Sequence, residues 1–287
     1  MEPYRVDHDI HLHSFLSACS VDPEQTAEAI LKYGEENGYR YLCMTDHGWS
    51  EHIPCKMGFY ESPHKKIANL PYRKSKDGTD DGFYLQKTSH VREILPLPQG
   101  KTTKFYFGVE TDMDEDGTLG MGGEDFSIFD FVIVPTTHLH MFPFRSVGAS
   151  TEAYVARMNH LLEMDLPFDK IGIAHLACSL IAPNGLWHEV LDGVTDAQYI
   201  DMFQKVARCG AGVEINADDF DFSKKTPEEV HSVLRVFRFA KECGCRFYLG
   251  SDAHHPGELR SARAIFENAV RELALTEADK LCPFREV

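Results

Sequence analysis

Hydrophobic and β-branched residues recur along the chain in seven short runs, separated by stretches with helical periodicity. The runs cover residues 6–12, 41–45, 105–109, 129–134, 170–174, 212–215 and 246–249. Apart from the first, which Asp and His interrupt, they are brief apolar or β-branched runs, as expected for buried parallel strands. Between them, Asp22-Pro23-Glu24-Gln25 offers an N-cap, a proline at the first helical position and a glutamine at the third. Thr226-Pro227-Glu228-Glu229 repeats the arrangement as a full capping box. The helix it opens carries Val230, Val233, Leu234, Phe237 and Ala240 at a 3.6-residue period, a face suited to packing on a sheet. Further helices are predicted over 151–163, 196–208 and 258–273. Strands alternating with helices imply parallel βα units, an α/β fold, and a barrel rather than an open sheet.

Two segments break the rhythm. Residues 51–103 are polar and rich in Lys, Pro and Gly, and read as a long excursion after the second strand. Residues 112–125 (DMDEDGTLGMGGED) begin like a calcium loop but place Gly123 where the twelfth-position glutamate belongs. An ordinary surface loop is expected there. No domain boundary is visible, so residues 1–287 are read as one domain with an insertion at about 51–103.

Composition narrows the function. The formal net charge of −16 argues against a polynucleotide partner, because affinity for nucleic acid comes mainly from basic side chains on phosphates. No run approaches the roughly 18 apolar residues of a membrane span, and MEPYRVDHDIHLHS has no apolar signal core. Eight cysteines without a spaced framework suit reduced thiols in a cytoplasmic protein.

The unusual feature is fifteen histidines, and several fall at strand ends. The first run leads into Asp9, His11 and His13, and the second into Asp46-His47. The third stops at Glu110, the fourth at His138 with His140 beyond, and the fifth at His175. The sixth ends in Glu214 and Asn216, the seventh in Asp252 and His254. Alternate strand residues share a face, so His11 with His13, and Asp252 with His254, point into one barrel mouth. In βα barrels that face carries the chemistry. Burying so many ionisable groups together without a cation is costly, so a metal centre is expected. Imidazoles with a few carboxylates suit Zn, Fe, Mn or Co. More ligands than one ion needs imply a multinuclear site, and adjacent ions suit hydrolysis at phosphorus. Arg145, Arg260 and Arg263 follow strand ends as candidates for holding phosphate.

HxH, TDH, a mid-chain Glu, two isolated His and SDAH, in this order, resemble the polymerase and histidinol phosphatase (PHP) superfamily over residues 9–254. The resemblance implies a distorted (β/α)7 TIM-like barrel acting as a phosphoesterase with two to three divalent ions (Zn, Fe or Mn). Carried over by motif, it implies a first ion on His11, His13, Glu110 and Asp252. Glu110 then bridges to a second ion on His138 and His175, and His47 and His254 bind a third. Glu214 and His140 stand as supporting or additional ligands. Asp46, Asp252 and His254 are the candidate catalytic residues, Asp46 by orienting a ligand or shuttling a proton.

The expected activity is hydrolysis of a small phosphomonoester, histidinol-phosphatase-like. The nucleophile is expected to be metal-bound hydroxide, since there is no Gly-x-Ser-x-Gly elbow, no P-loop and no Cys beside a His–Asp pair. The alternatives are a nuclease-type phosphodiesterase, disfavoured by charge, an amidohydrolase, which lacks its strand-end Lys, and a metal-binding module without turnover. The partner is a small phosphorylated metabolite, with no nucleic acid and no membrane. The 51–103 excursion is expected to lie over the barrel mouth. One departure stands out: where relatives place a His or Asp after HxH, this chain has Cys19, with Asp22 three residues on. Asp22 is explained as a helix cap. With Cys19 open as thiolate ligand or packed residue, the third ion is expected to be weak or ligand-dependent.

Overall fold

The computed structural model describes residues 2–17, 19–20, 22–54, 87–139, 146–182, 185–281 and 283–284. Seven strands form one sheet in chain order: β1 (His8–Leu12), β2 (Tyr41–Met44), β3 (Lys104–Glu110), β4 (Phe131–Pro135), β5 (Ile171–Ala174), β6 (Gly212–Asn216) and β7 (Arg246–Gly250). β1 through β4 pair in parallel, as do β5 through β7. β1, β2, β4, β5 and β6 are buried along their whole length, as strands covered on both faces must be. The segment after β7 pairs back onto the first strand. Asp252 N–H donates to His11 O (2.8 Å), His13 N–H donates to Ala253 O (3.1 Å), and Leu12 bridges Ala253 in parallel. The fold class is that of a TIM-like (β/α)7 barrel.

By compactness the chain divides into two units. One comprises Met1–Val6, Val134–Gly250 and Ala262–Val287, and the other Asp7–Ile133 and Ser251–Ser261. In the first, the predicted box at Thr226 forms. Thr226 Oγ1 accepts from Glu229 N–H, the Glu229 carboxylate accepts from Thr226 N–H, and Pro227 opens a helix to Glu242. Val233, Leu234, Phe237 and Ala240 are buried as the periodicity requires, joined by Val236. The helices Val147–Glu163, Asp196–Cys209 and Pro256–Glu272 match expectation to within a few residues at their ends, while Trp187–Gly193 and Ala217–Phe220 carry too little periodicity to have been foreseen.

Three expectations change. The helix foreseen from Asp22 starts instead at Ala27, capped by Thr26. Asp22 Oδ1 does accept from Glu24 N–H (2.8 Å), but only within a turn. Gln25 is tied down in tertiary contacts, its Nε2 donating to Ala253 O (3.1 Å) and its carbonyl accepting from Phe15 N–H (3.0 Å). Those bonds delay the first helical turn. The 112–125 loop is not simply superficial. Asp112, Met113, Asp114, Leu119 and Met121 are buried, and Gly120 lies so close under Trp49 that a Cβ there would stand 2.4 Å from the indole. Asp114 Oδ1 accepts from Asp116 and Thr118 N–H (3.0 and 2.8 Å), an Asx turn rather than a cation loop. Of the 51–103 excursion, residues 55–86 lie outside those described, and with them the centre of the expected lid. Its far end returns beside its start, with Lys87 bridging Trp49 and Thr88 Oγ1 donating to Glu51 Oε2 (2.5 Å).

Candidate metal centre

The end of β1 brings His11 and, one residue beyond the strand, His13 together, and the other elements of the second unit bring their ends to them. β3 delivers Glu110, which His47 bridges just beyond β2. The turn after β7 delivers Asp252 in the left-handed region (φ 54°). His11 Nε2 and His13 Nε2 lie 3.1 Å apart. Glu110 Oε2 stands 3.4 and 3.2 Å from them, and Asp252 Oδ1 3.3 and 3.0 Å. All but Asp252 are fully or almost fully buried.

The tautomer of His13 decides what this cluster is for. Its Nδ1–H donates to Ser17 Oγ (2.8 Å), whose own hydrogen goes to Asp46 Oδ1 (2.7 Å). His13 Nε2 therefore presents a lone pair, and it faces two carboxylate oxygens and a second imidazole. Acceptors converging on acceptors need a cation between them. The spacing fits one: ligands about 2.1 Å from a shared ion lie about 3.0 Å apart at right angles and about 3.4 Å apart in a tetrahedron. These residues fit a divalent metal ion.

Asp46 is not part of that convergence. Its carboxylate accepts from Ser14 N–H (2.7 Å), Ser14 Oγ (2.6 Å) and Ser17 Oγ. It acts through Ser17, which also accepts from His47 N–H (3.2 Å). One buried carboxylate so orients two candidate ligands.

A further donor group stands alongside. His13, Cys19, His47 and His254 each offer an atom, all within 4.8 Å of one another. His254 Nδ1–H donates to Asp252 O (2.7 Å), leaving Nε2 to face Cys19 Sγ at 2.9 Å. The rings of His13 and His254 stack at 4.2 Å. Glu110 Oε2, which meets His11 and His13, also lies 3.1 Å from His47 Nδ1.

Charge follows this geometry. Burial acts to raise the Glu110 pKa, but His47 and His11 outweigh it and hold the carboxyl well below its usual range. At His254 burial opposes the charged ring, and Cys19 and Asp252 together outweigh it, raising the pKa. Asp9 goes the other way. Burial pushes it up to about 7, although its Oδ1 accepts from Ser251 N–H (2.9 Å).

In the first unit, β4 and β5 bring His138 and His175 together, their rings 5.0 Å apart. His175 also holds a left-handed backbone (φ 59°), and its N–H donates to Glu214 Oε2 (3.1 Å). Glu214 accepts from Asn216 Nδ2 as well (3.2 Å), so it braces the β5 end. Asp219 is a residue that motif reasoning missed. It is buried, accepts from Ala177 N–H (3.2 Å), and burial pushes its pKa to about 7. Asp9 was legible as two residues before His11, while Ser17 and Asp219, placed by loops, gave no periodic signal. Arg145 and His140 lie outside the described residues. Arg260 is exposed on its helix, and Arg263 pairs with Glu267 one turn on (3.1 Å).

No family model matches the chain. It is similar to a "Probable histidinol-phosphatase" of Deinococcus radiodurans, 27% identical over 282 residues, 92% of each chain. Among solved structures it is similar to histidinol phosphate phosphatase of Lactococcus lactis, complexed with zinc, L-histidinol and phosphate. That match has a TM-score of 0.54 at 15% identity and covers 96% of this chain and 98% of the other. Both likenesses are to proteins named histidinol phosphatases, and the structural one supports the barrel fold.

Proposed function

We propose that this protein is a metal-dependent phosphatase of small phosphomonoesters, with L-histidinol phosphate as the substrate its relatives point to. The observation that carries the reading is the lone pair of His13 Nε2 turned toward Glu110 and Asp252 across gaps that fit a divalent ion. When bound, such ions lower the pKa of water and neutralise charge on phosphoryl oxygens.

The remaining work falls to the side chains. His11, His13, Glu110 and Asp252 would hold one ion, and the PHP resemblance assigns His138 and His175 to a second. Asp46 acts through Ser17 to hold His13 and His47 in place. Glu214 holds the His175 backbone. Two to three ions, of zinc, iron or manganese, complete the centre. All six described cysteines are free, which suits the reducing cytoplasm. Among the described residues no helix is long and apolar enough to cross a membrane.

The test is an assay of protein loaded in turn with Zn, Mn and Fe against phosphomonoesters including L-histidinol phosphate, phosphodiesters and single-stranded DNA. Turnover should favour monoesters, with histidinol phosphate the best of them. Preference for diesters or DNA would replace this reading with the phosphodiesterase one.

A further inference from the structure

We propose that Cys19 is a thiolate ligand, completing with His47 and His254 an ion site of different chemistry from its carboxylate-rich neighbour. The inference rests on the metal-dependent reading above and deepens it.

Three observations carry it. First, Cys19 Sγ is one of four donor atoms gathered within 4.8 Å, the others being imidazole nitrogens of His13, His47 and His254. Second, one of these imidazoles is aimed. The Asp252 carbonyl takes the Nδ1 hydrogen of His254, so the Nε2 lone pair faces the sulfur at 2.9 Å. Third, the loop is built to hold Cys19 there. Ser17 N–H donates to Ser14 O (3.2 Å), Ser20 N–H to Ser17 O (3.0 Å), and Ser20 Oγ to His254 O (2.8 Å). The chain is thereby pinned to the backbone of the residue whose ring the sulfur meets. Asp22, the other candidate at this offset, has Oδ1 engaged by Glu24 N–H in its own turn.

On binding, the divalent ion takes the place of the thiol hydrogen. One proton leaves to solvent, a metal–sulfur bond forms, and no electron is transferred. A soft sulfur donor with imidazoles selects zinc or iron over manganese, whereas the carboxylate-bearing set has no such bias. The ion here is then retained rather than weakly held. Cys19 is exposed, so reagents reach it when the site is empty.

Full-length protein is stripped of metal, titrated with cobalt(II), and compared with Cys19→Ser. The wild type should develop a sulfur-to-cobalt charge-transfer band in the near ultraviolet, and the variant should lack it while still binding cobalt. In parallel, iodoacetamide labelling of the wild type is mapped by mass spectrometry, and zinc should slow alkylation of Cys19 by about tenfold or more. A band that survives in Cys19→Ser, cobalt binding by the wild type with no such band, or alkylation of Cys19 indifferent to zinc would overturn the proposal. A wild type that binds no cobalt would overturn the metal-dependent reading itself. Cobalt bound through sulfur without phosphatase turnover would leave the Cys19 assignment standing and remove only the function.

Discussion

The donor set built on His11, Glu110 and Asp252 and the one built on Cys19, His47 and His254 share His13, yet they are assembled differently. In the first, His11, His13 and Glu110 are essentially shut from solvent and stand on or beside strand ends. In the second, Cys19 is exposed, the His254 side chain retains 25% of its exposure, and loops supply both. A strand places the hard Glu110 carboxylate where desolvation makes a cation obligatory. Loops place a soft sulfur where solvent and reagents arrive. Two ions held this way would differ in identity and in the ease with which they exchange.

The comparison can be broken from the buried side first. Glu110→Gln removes the oxygen facing His11, His13 and His47, and turnover should fall by about 10³-fold, a loss of several kcal/mol of charge stabilisation. A near-normal rate would show that this set is not the reacting one. Asp9, two residues below His11, tests the cost of that burial. Its pKa is raised to about 7 when folded, so the folded state holds the proton more tightly than the unfolded chain does. Stability of the metal-free protein should therefore fall as pH rises from about 4 to about 7, by up to a few kcal/mol, and level off above. Asp9→Asn should flatten the decline in urea unfolding across that range. An unchanged slope would acquit Asp9.

Asp46 serves both sets through Ser17. Asp46→Asn should lower turnover by roughly 10- to 100-fold while metal analysis still finds the buried ion. Loss of all metal would instead make Asp46 essential to assembly.

How much of this was legible depended on what set each position. Strand ends were readable because apolar runs such as 170–174 stop abruptly at a histidine, and the two-residue spacing of His11 and His13 set them side by side. The Thr226 box was readable because its helix depends on local hydrogen bonds. The helix at Ala27 was misplaced because Gln25 answers to Ala253 and Phe15, partners no local window contains. Likewise Cys19 was visible only as an offset in a motif. Its meeting with His254 depends on the β7 turn folding back onto the first strand, and the Asp46–Ser17–His13 chain on a loop without period.

The backbone at Asp252 and His175 has an evolutionary side. Both are non-glycine residues in the left-handed region, each a standing expense of about 1 kcal/mol. Asp252→Gly should accordingly raise the melting stability of the metal-free protein by about that amount while removing a donor, and thermal unfolding would register it. A lineage released from selection for the reaction has a downhill path at these two codons: glycine there gains robustness at once. Descendants that kept the barrel and dropped the chemistry should carry glycine or asparagine at these turns before their cores show any change.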